Sequence, residues 1–149
     1  MRIPEYYGHV SPDGYRHLMN LQHYVSHCGL EPRLLDLIAL RASQLNGCAF
    51  CLDLHTRYAV KDGETIQRLA CIPAFREAPL YSARERAALA WTESLTRLSE
   101  THAPEDVFAE VRAVFNDKEL VDLTMAISLI NAWNRLGAGF SVEPGAVEV

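Results

Sequence analysis

Apolar residues recur every three or four positions along most of this chain, and polar caps, prolines and glycines punctuate them at helix-length intervals. Ser11-Pro12 opens a stripe of Tyr15, Leu18, Leu21 and Tyr24 or Val25 that ends near Gly29, which predicts a helix over about 12–27. Pro32 opens the next, where Leu34, Leu35, Ile38, Ala42 and Leu45 keep one face until Asn46-Gly47 interrupts it. A third segment starts near Cys48 and stops at Asp62-Gly63, and a short helix follows over about 64–71. The loop around Pro73 and Pro79 carries apolar and aromatic residues that suit packing against the body.

Beyond it the caps sharpen. Ser82 with Glu85, and Asn116 with Glu119, have the spacing of reciprocal capping boxes and predict helices over about 83–99 and 117–137. Between them Pro104, Glu105 and Asp106 open a helix to about Phe115, with acids where the helix dipole favours them. No segment alternates as a strand would. The expected fold is all-α, one compact bundle of six or seven helices in a single domain over 1–149, with a C-x-x-C at the start of a central helix and a tail from about Phe140.

Composition narrows the function more than the fold. A formal charge of -5 with scattered Lys and Arg lacks the footprint of a nucleic-acid binder. No apolar run has signal-peptide or membrane-span character, so the expectation is a soluble, cytoplasmic protein with no membrane partner. Four cysteines in such a chain do not read as a disulfide framework, because reducing compartments keep structural thiols free.

Their spacing reads as chemistry instead. Cys48, Cys51 and His55 form a C-x-x-C with a histidine four residues on. On a helix turning about 100° per residue the three fall within an arc of roughly 60°. His55 leans toward Cys51, one turn earlier, and is placed to take its proton. Cys48 sits in the first turn, where free amides and the helix dipole favour a thiolate. Peroxide chemistry needs one sulfur to attack and become a sulfenic acid, and a second to condense with it. Cys51 as attacker fits because it has the histidine; thioredoxin-type logic favours Cys48, and spacing does not decide between them.

Zinc is the alternative use of two Cys and one His, but Cys28 and Cys71 are isolated singles that read as buried apolar residues. Neither a metal nor an organic cofactor enters the expected catalytic set. His102 reads as a solvated loop residue, Trp91, Trp133 and Tyr24 as core or interface, and Arg41 and Arg135 as internally paired.

The run from Leu40 to Cys51 with His55 beyond it, Glu85 to Trp91, and Asn131 to Arg135 together resemble the AhpD-like branch of the carboxymuconolactone decarboxylase family. The resemblance implies an all-helical homo-oligomer, trimeric, hexameric or dimeric, that reduces organic hydroperoxides in antioxidant defence. It implies Cys51 as the peroxide-attacking cysteine, Cys48 as resolving thiol and proton donor, and His55 as base. A dithiol, lipoyl or thioredoxin-type reductant would reopen the disulfide. The family's relay glutamate corresponds to Asp36, one methylene shorter, which reads equally as a relay or as an ordinary acid. Phe50 stands where AhpD has a histidine between the cysteines. The lactone decarboxylases of the family typically lack the dithiol. Two further readings use the same residues without peroxide turnover: a disulfide oxidoreductase and a redox sensor.

Overall fold

The computed structural model describes residues 1–3 and 5–147 and is helical throughout, with no strand among the described residues. The helices are α1 (Tyr7–Val10), α2 (Pro12–Ser26), α3 (Pro32–Asn46), α4 (Ala49–Lys61), α5 (Ile66–Cys71), α6 (Ala83–Thr96), α7 (Leu98–Thr101), α8 (Glu105–Arg112) and α9 (Asp117–Gly139), with a 3₁₀ turn at Ile72–Ala74. None is long and apolar enough to cross a membrane.

Local chemistry accounts for most of these boundaries. Pro12 and Pro32 occupy first-turn positions, where a missing N–H costs nothing. Both capping boxes form: the side chains of Ser82 and Asn116 accept the amides of Glu85 and Glu119, whose carboxylates accept the cap amides in return. Ser11 holds its cap position without a side-chain bond. The helix expected to run on to residue 99 breaks at Arg97, where no Gly or Pro stands; Thr96 instead accepts a hydrogen bond from Asn131 on α9. Helix α1 is a further four-residue turn that the apolar periodicity does not register.

Helix α3 is the hub, packing against α4, α6 and α9. Leu34, Leu37, Ile38, Ala39, Leu40, Ala42 and Ser43 are all buried, so its burial wraps around the helix wherever neighbours cover it. One core joins α2, α3, α6, α8 and α9 around Trp91, Phe115 and Leu123, and a second joins α3 to α6 through Phe75, Ile72 and Tyr81 of the α5–α6 connection. The proline-containing connection therefore packs as expected. The C-terminal segment is no free tail: Val142 is buried, its amide bonds the Gly137 carbonyl, and Gly145 donates to Asp53. Residues 148 and 149 lie outside the described residues.

Other single residues settle less uniformly. Arg41 pairs with Glu93 at 2.7 Å through Nε, Arg135 donates to the Asn131 carbonyl, and Trp91 is buried. Tyr24 stays 45% exposed, its hydroxyl donated to the buried Asp122, because at the edge of its stripe only the phenol oxygen reaches α9. Cys28 and Cys71 are partly exposed, each sitting at the end of a helix where packing thins out.

A polar joint ties the end of α3 to α9. The Asn46 amide donates to Asn131 Oδ1 at 2.9 Å and to Asn134 Oδ1 at 2.8 Å, and Asn134 donates to Ser43 Oγ at 2.9 Å. Ser43, Asn131 and Asn134 are buried, where an unmet amide is costly. Asn134→Ala is expected to lower unfolding free energy by about 2 kcal/mol through lost hydrogen bonds and a small cavity. Urea denaturation measures this directly; a loss below about 0.5 kcal/mol would mean the joint contributes little.

Candidate active site

Gly47 turns the chain from α3 into α4. Its φ of 65° and ψ of 33° lie in the left-handed region that glycine adopts without penalty, and both its amide and that of Cys48 bond the Ser43 carbonyl. The joint around Asn46 holds the residue just before this turn, so the position of Cys48 is fixed from both sides.

Cys48 is the N-cap of α4, one residue before the helix proper. Its Sγ accepts the amide of Cys51 at 3.3 Å, the role a serine oxygen plays in an ordinary cap. Cys48 and Cys51 are joined as a disulfide with Cα atoms 5.4 Å apart. Both are buried, Cys48 fully and Cys51 to 3% exposure, among Tyr7, Phe50 and Val142. Among the described residues no three Cys, His, Asp or Glu side chains are grouped to hold a metal ion.

The two sulfurs differ in access. Cys51, His55 and Asp36 all line one pocket of about 550 Å³ between α2, α3, α4 and α9; Cys48 does not line it. The pocket is mainly apolar, with Leu35, Ile38, Leu54, Ile130 and Trp133 on its walls and Tyr6, Tyr7 and Tyr15 at its N-terminal side. Trp133 is held by a hydrogen bond to Gln22 at 3.1 Å and by the edge of Tyr15.

These surroundings act oppositely on the two titratable groups. Burial lowers the His55 pKa to about 4, because the imidazolium loses water and gains no counter-charge. Burial also raises Asp36 to about 7, helped by the neighbouring charges of Asp62 and Glu64. Near neutral pH the site thus holds an uncharged imidazole and a carboxyl that is partly protonated. Among the described residues no hydrogen bond joins Asp36 to His55, although both line the pocket.

Three features of the site escape sequence reading. Gly137 on α9 faces the disulfide so closely that a Cβ there would lie 2.8 Å from Cys48 Sγ and 3.2 Å from Cys51 Sγ. A glycine inside an otherwise strong helix is the trace this leaves in sequence. The N-terminal tyrosines Tyr6 and Tyr7 reach the pocket through α1, and Asp62 at the end of α4 and Val147 in the C-terminal segment also line it. His102 is exposed on a left-handed turn after α7 and takes no part.

Residues 12–94, which include Asp36, Cys48, Cys51 and His55, match the carboxymuconolactone decarboxylase family. The uncharacterized Bacillus subtilis protein YdfG is 38% identical over 130 residues, 87% of this chain and 88% of its own length. The uncharacterized Escherichia coli protein YnjA is 26% identical over 76% of this chain and 62% of its own. Among solved structures, a protein of unknown function from Agrobacterium tumefaciens, proposed to be the antioxidant defence protein AhpD, superposes with a TM-score of 0.91 at 44% identity over 99% of both chains. The debrominase Bmp8 shares the fold at a TM-score of 0.79 and 20% identity, over 91% of this chain and 73% of its own. With the family match spanning the dithiol helix and the scaffold beneath it, this chain is an AhpD-like member of the carboxymuconolactone decarboxylase family.

Proposed function

We propose that this protein is a dithiol peroxidase that reduces organic hydroperoxides. The family and the Cys48–Cys51 pair support a redox role. The observation that carries the finer reading is that Cys51 alone of the two sulfurs opens, beside His55, onto a pocket large enough for an organic substrate.

In the reduced protein His55 accepts the Cys51 proton. The thiolate attacks the distal oxygen of ROOH; the O–O bond breaks and the alkoxide leaves as ROH with the proton of the Cys48 thiol, while His55 keeps the Cys51 proton for the hydroxide released in the next step. Cys51 is now a sulfenic acid, and the Cys48 sulfur attacks it, forming the disulfide and releasing water. Both sulfurs are oxidised by one electron each and the peroxide takes up two. An external dithiol restores the thiols by exchange. The Cys51 thiolate gives the imidazolium the counter-charge it lacks beside the disulfide, so the base strengthens when it is needed. Asp36, which lines the same pocket without a direct hydrogen bond to His55, relays the proton.

A non-catalytic sensor would need no histidine beside the attacking sulfur and no pocket. The lactone-decarboxylase chemistry of the family's name does not use a dithiol.

Mass spectrometry of the peptide holding Cys48 and Cys51, before and after one equivalent of cumene hydroperoxide, tests the reading. A two-hydrogen mass loss is expected in the wild type and none in Cys51→Ser; in Cys48→Ser the sulfenic acid should persist and react with dimedone. Persistent wild-type thiols would reject peroxidase function, and turnover in Cys51→Ser would reject the assignment of attacker.

The charge states predict a pH signature. The folded protein holds a proton on Asp36 that the unfolded chain releases from about pH 4, so its burial costs stability as pH rises toward 7 and costs most above it. Asp36→Asn should therefore gain on the order of 2 kcal/mol at pH 8, a gain that fades toward pH 4. In reduced protein the rate of oxidation by peroxide should inflect near pH 7 in the wild type and lose that inflection in Asp36→Asn. An unchanged profile would remove Asp36 from the relay.

A further inference from the structure

The pocket's charge pattern bears on which molecules reach Cys51. Its carboxylates, Asp36 and Asp62, stand on the wall formed by the start of α3 and the end of α4. Among the described residues no Lys or Arg lines it. Two cations bond residues of its lining without lining it themselves: Arg33 donates through Nε to the Asp62 carbonyl at 3.2 Å in the adjoining recess, and Arg57 pairs with Asp53 at 2.8 Å while donating to the Val147 carbonyl. An entering carboxylate would lose water to apolar walls, face two acids and meet no fixed positive charge. An uncharged aromatic or branched alkyl group would meet Tyr15, Phe50, Leu54, Ile130 and Trp133.

We infer that the pocket selects uncharged, bulky organic ligands and excludes those bearing a carboxylate, so that the protein acts on neutral aryl or alkyl hydroperoxides and not on fatty-acid hydroperoxides. The statement about hydroperoxides rests on the peroxidase reading; the ligand selectivity is a property of the pocket and stands apart from it. Size agrees, since a pocket of about 550 Å³ is far larger than hydrogen peroxide requires.

Two matched pairs of compounds test it on the full chain at pH 8. The first pair is 2-phenyl-2-propanol and its 4-carboxylate, product-like alcohols whose binding is read from the fluorescence of Trp133 in the pocket wall. The neutral alcohol should bind at least about tenfold more tightly. Equal binding, tighter binding of the carboxylate, or no saturable binding of the neutral alcohol would overturn the inference. Met19→Lys puts a cation at the exposed rim of the same pocket. It should cut the preference at least about fivefold, and an unchanged preference would place binding outside this pocket and equally overturn it.

The second pair is the corresponding hydroperoxides, with oxidation of the reduced dithiol followed by stopped flow. The neutral compound should react at least about tenfold faster. Equal rates would overturn the selectivity at the reactive sulfur. If neither hydroperoxide oxidises the dithiol while the alcohols keep their preference, the peroxidase reading fails and the pocket's selectivity stands.

Discussion

The side-chain amide of Asn46 ties the last turn of α3 to the middle of α9, and the chemistry of the site depends on that tie. It donates to two buried asparagines, one of which in turn donates to Ser43, so the network crosses between two helices that hydrophobic packing alone would let slide. Hydrogen bonds have direction where apolar contacts do not, and here the direction fixes where α3 ends. Gly47 then turns the chain through a left-handed conformation, and Cys48 arrives with its sulfur against the first turn of α4.

Everything reactive follows from that placement. Cys48 serves as a helix cap, so the free amide that would stabilise a thiolate is already aimed at its sulfur. Cys51 and His55, one and two turns along, face the pocket. Gly137 on α9 leaves the space the two sulfurs occupy, so the helix tied to Asn46 is also the one that admits the dithiol. One tertiary contact, between α3 and α9, thus sets the approach, the depth and the partner surface of the redox pair.

The pocket sets two charge states by one cause. Desolvation opposes charge of either sign, keeping His55 neutral down to lower pH, and Asp36 protonated up to higher pH, than either would be in water. The scaffold's buried apolar cores offset the cost of a site that is less favourable in itself.

The amino-acid sequence by itself determined the helical class, the helix starts at Pro12, Pro32, Ser82 and Asn116, and the alignment of Cys48, Cys51 and His55 on one face, because caps, prolines and i, i+4 spacing act within a few residues. It also marked Asn46-Gly47 as a break. Only the tertiary structure decided that Cys51 and not Cys48 opens to the pocket, that Asp36 stands off from His55 instead of bonding it, and that Gly137, the N-terminal tyrosines and the C-terminal segment enclose the site. Those outcomes depend on contacts between residues far apart in the chain, as Gln22 and Trp133, 111 positions apart at the pocket wall, illustrate. No local pattern encodes them: burial, access and desolvation belong to the surfaces that several helices make together.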